Sequence, residues 1–525
     1  MPALSEAAAE DSVERASGAP AWWPLAALTL LAAALRFSTL DLQSLWYDEA
    51  YTPVHVFHAS LGASWHAYVH SENSPPLWYA LEWLITRVLG TDAVALRLLC
   101  ALAGIAAVPV AWAIGSELED RPACGVRRVA IATAALVATS PLLVWYSQEA
   151  RAYGLFVLTA SLALLCFVRA LRAPTARRVW LFALAAALAL LSHYFAIFLL
   201  IPMIAGVSLR LLGDMDPGPW TPRVRKINPK KIPALAPLLL PVLVGCALIP
   251  LIVAQGGHGT QWIGEWALAS RLEAIPQYYL TGYTGSALGH GVELLVALVI
   301  LAGIVYGLWK TLTPREERGA LIVLIVAASG VLLPLLLAVL GADYLAPRNL
   351  VAAMVPVSVL LAIVIVARRT GAIGMAIAGV VASGFLILTL DVNLSPRLQR
   401  GDWRGVANVL RAGPARTGAS SRRAIVTVEL GAAPLEYYLP PLANLAQGKR
   451  VRVSEVVEVG YAPLRVGASA PPARGLRLSQ TSDIHGLYVY RFTSSVPVTI
   501  SESQLHESAI TDAPHPEVLI PGSSG

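Results

Sequence analysis

The sequence predicts a polytopic α-helical membrane protein of about eleven spans that carries a soluble α/β domain at its C-terminal end. Three observations predict it. Of 525 residues, 56% are hydrophobic and only 14% are charged, whereas a soluble domain carries roughly a quarter charged residues, and the mean hydropathy is +0.62. Apolar runs long enough to cross hydrocarbon recur up to about residue 390. Beyond that point the long runs stop, and short strand-like segments between turn residues take over.

Spans are read near 22–40, 93–115, 129–146, 152–168, 179–192, 194–212, 233–254, 290–309, 320–341, 350–367 and 372–390. The stretch from Pro75 to Gly90 is shorter and follows a Pro-Pro pair, so it reads as a helix lying at the interface. Charge decides this. With 75–90 not crossing, the loops holding Arg121/Arg127/Arg128, Arg169/Arg172/Arg177/Arg178, Arg223/Arg225/Lys226/Lys230/Lys231, Lys310/Arg315/Arg318 and Arg368/Arg369 all fall on one side, which is then the cytoplasm. The opposite loops, 41–74, 147–151, the turn near His193, 255–289 and 342–349, hold almost no Lys or Arg.

This topology divides the chain into a cytoplasmic tail 1–21, a transmembrane part 22–390, an extracytoplasmic α/β domain 391–510 and a disordered tail 511–525. DWRGVANVLR carries a helical pattern, and AIVTVEL, VRVSEVVEV and LYVYRF read as strands. Trp22 and Trp23 stand before the first span like interfacial anchors, and the acidic stretch ahead of them lacks a positive n-region and a cleavage site, so that span is expected to be kept. Cys100, Cys124, Cys166 and Cys246 lie in or beside apolar segments and form no disulfide or zinc framework. The net charge of +6 reports topology rather than a nucleic acid partner.

The unusual polar residues gather on the outer side: Asp48-Glu49 after the first span, SENSPPLWY at 71–79, WYSQEARAY at 145–153, SHYF from 192 and DYLAPRN at 343–349. Arg151, Arg271 and Arg348 break the outside charge bias, and a basic residue kept where topology disfavours it points to an anionic ligand.

In their order and common sidedness these pieces resemble the membrane glycosyltransferases with the GT-C fold, of the family 39 and 83 type, the bacterial relatives of protein O-mannosyltransferases and aminoarabinose transferases. The resemblance rests on Asp48-Glu49, Pro75-Pro76-Leu77-Trp78-Tyr79, Ser147 to Tyr153 and Arg348, and covers about residues 24 to 390. It implies an enzyme of the cytoplasmic membrane that passes a sugar from a polyprenyl phosphate carrier to a glycan, lipid or protein acceptor on the outer side. It implies Asp48 as the base that takes the acceptor proton. A sugar phosphate already has a good leaving group, so a single carboxylate suffices, with inversion. Arg151 and Arg348 would neutralise the departing phosphate. Glu49, pointing elsewhere from an extended loop, would hold sugar hydroxyls or the acceptor. His70, Asn73, Gln148, Glu149, Tyr153, His193 and Tyr194 complete the candidate substrate contacts.

Each has a plainer reading. Glu149 and Arg151 could be structural ion pairs, Arg348 a snorkelling anchor, His193 a carbonyl-satisfying histidine, Trp78 and Tyr79 interfacial packing, and Arg36 a structural residue of the bundle. Gln261, Trp262 and Trp266 could line an acceptor groove or belong to an aromatic belt. Two departures stand out: Ser74 precedes Pro75 where relatives carry His or Lys, with His70 or Asn73 in reach to compensate, and Asn349 follows Arg348 where relatives carry Tyr. No cofactor is assigned, and a divalent cation stays open, although Asp48 and Glu49 alone offer too few oxygens. A transporter or flippase for a lipid-linked saccharide is the alternative, but it calls for matched halves with broken helices at the midplane, which are not evident. A scaffold would leave the motifs without a common purpose.

Overall fold

The computed structural model describes residues 22–120, 127–215, 224–257, 260–412, 423–512 and 515–522. The expected N-terminal tail, Arg121, Cys124, Arg223 and the last three residues lie outside them. Two units separate: Met1–Leu40 with Val69–Leu394, and Asp41–Tyr68 with Ser395–Gly525.

The first unit is helical. Among the described residues, seven helices are long and apolar enough to cross a membrane, from Ala93–Leu118 to the segment Arg368–Leu394, and the bent pair Arg128–Thr139 and Pro141–Ser147 makes an eighth if it is one span. The chain is a polytopic membrane protein. A helix stands at each of the eleven predicted places, but Trp23–Phe37, Ala176–Ser192 and Ala196–Leu212 are only 15, 17 and 17 residues long. Pro76–Leu89 is a single 14-residue helix started by a proline and stopped at Gly90, whose φ of +85° suits glycine.

The helix ends are written in the sequence. Asp92 accepts the Val94 and Ala95 N–H groups at the start of Ala93–Leu118, and Thr313 with Glu316 forms a capping box on Pro314–Val339. At Ser140 the pair Arg128–Thr139 and Pro141–Ser147 bends by 56°, because Pro141 cannot continue the ladder. The carbonyls released there find other donors: Arg36 Nη1 donates to Ala138 O at 3.2 Å and Thr389 Oγ1 to Thr139 O at 2.8 Å. Arg36 is therefore a structural residue of the bundle, as its plainer reading had it.

The second unit is built on a six-stranded sheet ordered β4-β8-β3-β5-β7-β6. Its strands are β3 (Arg423–Thr427), β4 (Leu442–Asn444), β5 (Arg450–Tyr461), β6 (Arg477–Ile484), β7 (Leu487–Ser501) and β8 (Glu517–Pro521), while β1 (Gly213–Met215) and β2 (Val224–Ile227) form a small hairpin in the first unit. β3 and β5 run parallel and the remaining pairs antiparallel. Alternation along β3 sends Ile425 to one face and Ala424 and Val426 to the other. Helices Trp403–Ala412 and Ala432–Tyr438 cover the first face through Trp403, Val406, Leu410 and Leu435. Helix Glu502–Ser508 covers the second through Leu505. The three sequence-predicted strands and the helix at 403 are present.

Two expectations are corrected here. The tail 511–525 is not disordered throughout: residues 517–521 form β8, paired to β4 and β3 through a run of Val518, Leu519 and Ile520 that satisfies both faces. The segment Asp41–Tyr68, expected with the membrane part, clusters with the C-terminal domain. Its ties are polar and specific. Ser44 Oγ donates to Asp402 Oδ1 at 2.8 Å, Leu45 N–H donates to Tyr438 Oη at 2.9 Å, and Arg404 pairs with Asp41 at 2.7 Å.

Candidate active site

In the second unit, Asp48 and Glu49 sit in the first turn of helix Tyr47–Tyr51, not in an extended loop. Consecutive helical residues point about 100° apart, and the two acids divide accordingly. Glu49 is fully buried, with Arg400 Nη1 3.2 Å from its Oε2 and the Arg400 guanidinium over the Trp46 ring at 5.5 Å. Asp48 is half-buried. Glu49 thus anchors the turn that carries Asp48 through this ion pair.

In the first unit, several candidate residues are buried or half-buried and hydrogen-bonded. Arg151 Nη1 lies 3.0 Å from Glu72 Oε2, and Tyr79 Oη donates to the same oxygen at 2.6 Å. This joins the Ser147–Tyr153 motif to the SENSPPLWY stretch through an acid that the sequence reading quoted without assigning. The plainer reading of Arg151 as half of an ion pair holds, and Tyr79 is more than packing. Gln148 spends its amide on the end of helix Trp23–Phe37, donating from Nε2 to Leu35 O at 3.1 Å, to Arg36 O at 3.0 Å and to Thr39 Oγ1. Gln148 thus caps the end of that helix with its amide nitrogen. Tyr194 Oη donates to Gln255 Oε1 at 2.7 Å, and Gln255 Nε2 donates to Ser74 O at 3.3 Å. Tyr194 therefore steadies the Pro-Pro turn. His70 is exposed, Asn73 half-buried and Glu149 buried.

His193 is the meeting point. It stacks on Phe156 at 4.6 Å, stands 5.7 Å from Tyr153, and accepts the Phe195 N–H on Nδ1 at 3.2 Å. Burial, with the charges of Arg151 and Arg348 adding to it, pushes its pKa down to about 3. The imidazole is neutral, and with Nδ1 accepting, its proton sits on Nε2. The guanidinium of Arg348 lies over the Trp262 ring at 4.9 Å. Tyr278 shares one of these charges: burial and Tyr283 raise its phenol, while Arg348 lowers it. Tyr146, 4.8 Å from Tyr153, and Tyr278 were not among the expected contacts, although Tyr146 stands inside the quoted motif. Nothing in the sequence near Tyr278 could have singled it out.

Among the described residues, no group of three or more His, Cys, Asp or Glu side chains is arranged to hold a metal ion. With Glu49 committed to Arg400, the acidic pair does not fit a resident divalent cation.

Residues 73–217 match the family described as dolichyl-phosphate-mannose-protein mannosyltransferase. Among solved structures, the chain is similar to ArnT from Cupriavidus metallidurans bound to undecaprenyl phosphate, at 13% identity and a TM-score of 0.53, covering 90% of this chain and 98% of that one. The apo state of the same ArnT gives 13% identity and a TM-score of 0.52 over 89% and 97%. The Archaeoglobus fulgidus oligosaccharyltransferase gives 14% identity and a TM-score of 0.42 over 79% of this chain, which spans 57% of that longer one. No curated protein matches the chain.

Proposed function

We propose that this membrane glycosyltransferase of the GT-C fold takes its sugar from a polyprenyl monophosphate and passes it, with inversion, to an acceptor hydroxyl on the extracytoplasmic side. What supports the reading best is that Arg151 and Arg348, from segments almost two hundred residues apart, both add to the lowering that burial imposes on His193, a neighbourhood that would favour a ligand with negative charge. The match of residues 73–217 and the fold shared with a protein crystallised with undecaprenyl phosphate support the choice of donor. The one-sided distribution of Lys and Arg in the loops supports the orientation.

In this reading Asp48 takes the acceptor O–H proton as the oxygen forms its bond to the anomeric carbon. The bond from that carbon to the phosphate oxygen breaks, and its electron pair leaves on the carrier phosphate. Arg348 receives the growing charge with forked donors. Arg151, already paired with Glu72, acts at longer range through its field. His193 keeps an N–H without adding a charge.

Mass spectrometry of lipids from a strain lacking the gene, compared with the same strain carrying Asp48→Asn, tests this. A polyprenyl-phosphate sugar should accumulate in both, and purified Asp48→Asn should fold yet transfer at least about a hundredfold more slowly. A strain that accumulates no such lipid, or an Asn variant as fast as the parent, would sink the reading.

A further inference from the structure

Arg348 leaves a stretch without regular structure, residues 342–346, and enters the short 3-10 turn Pro347–Ala353. A side chain on such a segment aims no better than the segment is held. Several helices pack against the turn, and one of them, Leu268–Thr281, makes polar ties on both sides of Arg348. Arg271 on that helix is 2% exposed, and its Nη1 and Nη2 grip Asp343 Oδ1 and Oδ2 at 2.7 and 2.6 Å. Nη1 also donates to Leu345 O at 2.9 Å, while Asp343 Oδ1 turns back to accept the Leu345 N–H at 3.2 Å. Two turns further along, Tyr279 Oη donates to Leu350 O at 2.9 Å. The same helix is thus tied to the chain before and after Arg348. Asn349, the residue that departs from the family pattern, closes the loop from inside by donating its Nδ2 to Tyr344 O at 3.1 Å.

From this we infer that Arg271 is a positioning residue for Arg348: the Arg271–Asp343 fork, with Tyr279 as a second tie, fixes where the Arg348 guanidinium meets the carrier phosphate. Arg271 itself is buried behind the loop and spends its forked donors there, so it acts through Arg348 rather than on the ligand. The second tie matters because it fixes the backbone on the far side of Arg348 to the same helix that fixes it before. The inference explains why a third arginine is kept on a side of the membrane otherwise poor in basic residues. It rests on the reading of Arg348 as the phosphate contact.

The test is a binding cycle on the full-length protein in detergent, with undecaprenyl monophosphate as the probe and native mass spectrometry as the readout. Arg348→Ala and Arg271→Ala should each weaken binding about tenfold or more, and the double variant should bind no worse than Arg348→Ala alone, because the second substitution has nothing left to aim. Tyr279→Phe, a milder change that keeps the ring, should weaken binding by roughly threefold in the parent and not at all beside Arg348→Ala. It carries the test if Arg271→Ala does not fold. Losses that multiply in the double variants, or Arg271→Ala and Tyr279→Phe both binding like the parent, overturn the inference while Arg348 stands. An Arg348→Ala protein with parental affinity removes the reading on which it rests.

Discussion

Arg400 reaches back across some 350 residues of chain to place its Nη1 3.2 Å from the fully buried Oε2 side of Glu49. Two neighbouring carboxylates that look alike in the sequence thereby take separate tasks, one holding the fold and the other, Asp48, half-buried at the turn. Removing Arg400 strands a buried charge. Arg400→Met should cost about 3–5 kcal/mol, and Glu49→Leu combined with Arg400→Met should recover most of it. Denaturation of the purified protein by each variant measures this, and a double variant no more stable than the single would refute it.

Tyr79 donates to the Glu72 carboxylate that also faces Arg151. A hydrogen bond to a charged acceptor contributes about 1.5–3 kcal/mol, so Tyr79→Phe should lower stability by that order. Glu72→Gln should lower it further, since Arg151 then lies only 13% exposed without its counter-charge. Thermal melting in matched detergent ranks the two, and the reverse order counts against this account.

Gly104 stands where a Cβ would clash with the Ser147 Cβ and come within 2.8 Å of Arg36 Nε. Neither neighbour can yield easily, because Ser147 opens the motif that carries Arg151 and Arg36 closes the bend at Ser140. Gly104→Ala should therefore cost about 1–3 kcal/mol and reduce transfer more than Gly245→Ala, where a Cβ meets open space. Equal behaviour of the two variants in melting and in transfer assays would contradict the packing argument.

In the sheet domain, Glu458 is fully buried on β5, and burial raises its pKa to about 8 against the partial pull of Ser508 and Arg465. The Ser508 hydroxyl donates to Leu505 O instead. Between an unfolded value near 4.5 and the folded value of about 8, the folded chain keeps a proton that the unfolded chain releases. Stability from this residue is thus complete below about 4.5 and declines by up to roughly 1.4 kcal/mol per pH unit as pH rises toward 8. Glu458→Gln should flatten that decline in a series of melts from pH 5 to 9. An unchanged slope would show that Glu458 does not set it.

The fold class was legible because hydropathy and charge act locally: long apolar runs, capped ends and one-sided arginines need no tertiary information. Partner choice was not. Whether Arg151 faces a ligand or Glu72, and whether Gln148 faces a sugar or the carbonyls of Leu35 and Arg36, depends on which helix ends share a depth. Spacing carries no such coordinate. Glu72 lies inside the SENSPPLWY stretch, where nothing local tells it apart from Asn73 as the partner of Arg151. The strand at 517–521 was hidden by prolines and serines on either side, which mimic the composition of a loose end.

That strand has a consequence for biosynthesis. β8 lies between β4 and β3, in the interior of its sheet rather than at a margin, and it follows Asp48 by more than four hundred residues. The segment around Asp48 belongs to the same unit. This unit therefore cannot close around the segment that carries Asp48 until residues 517–521 have also been made, so any chain stalled before them holds Asp48 in an unfinished domain.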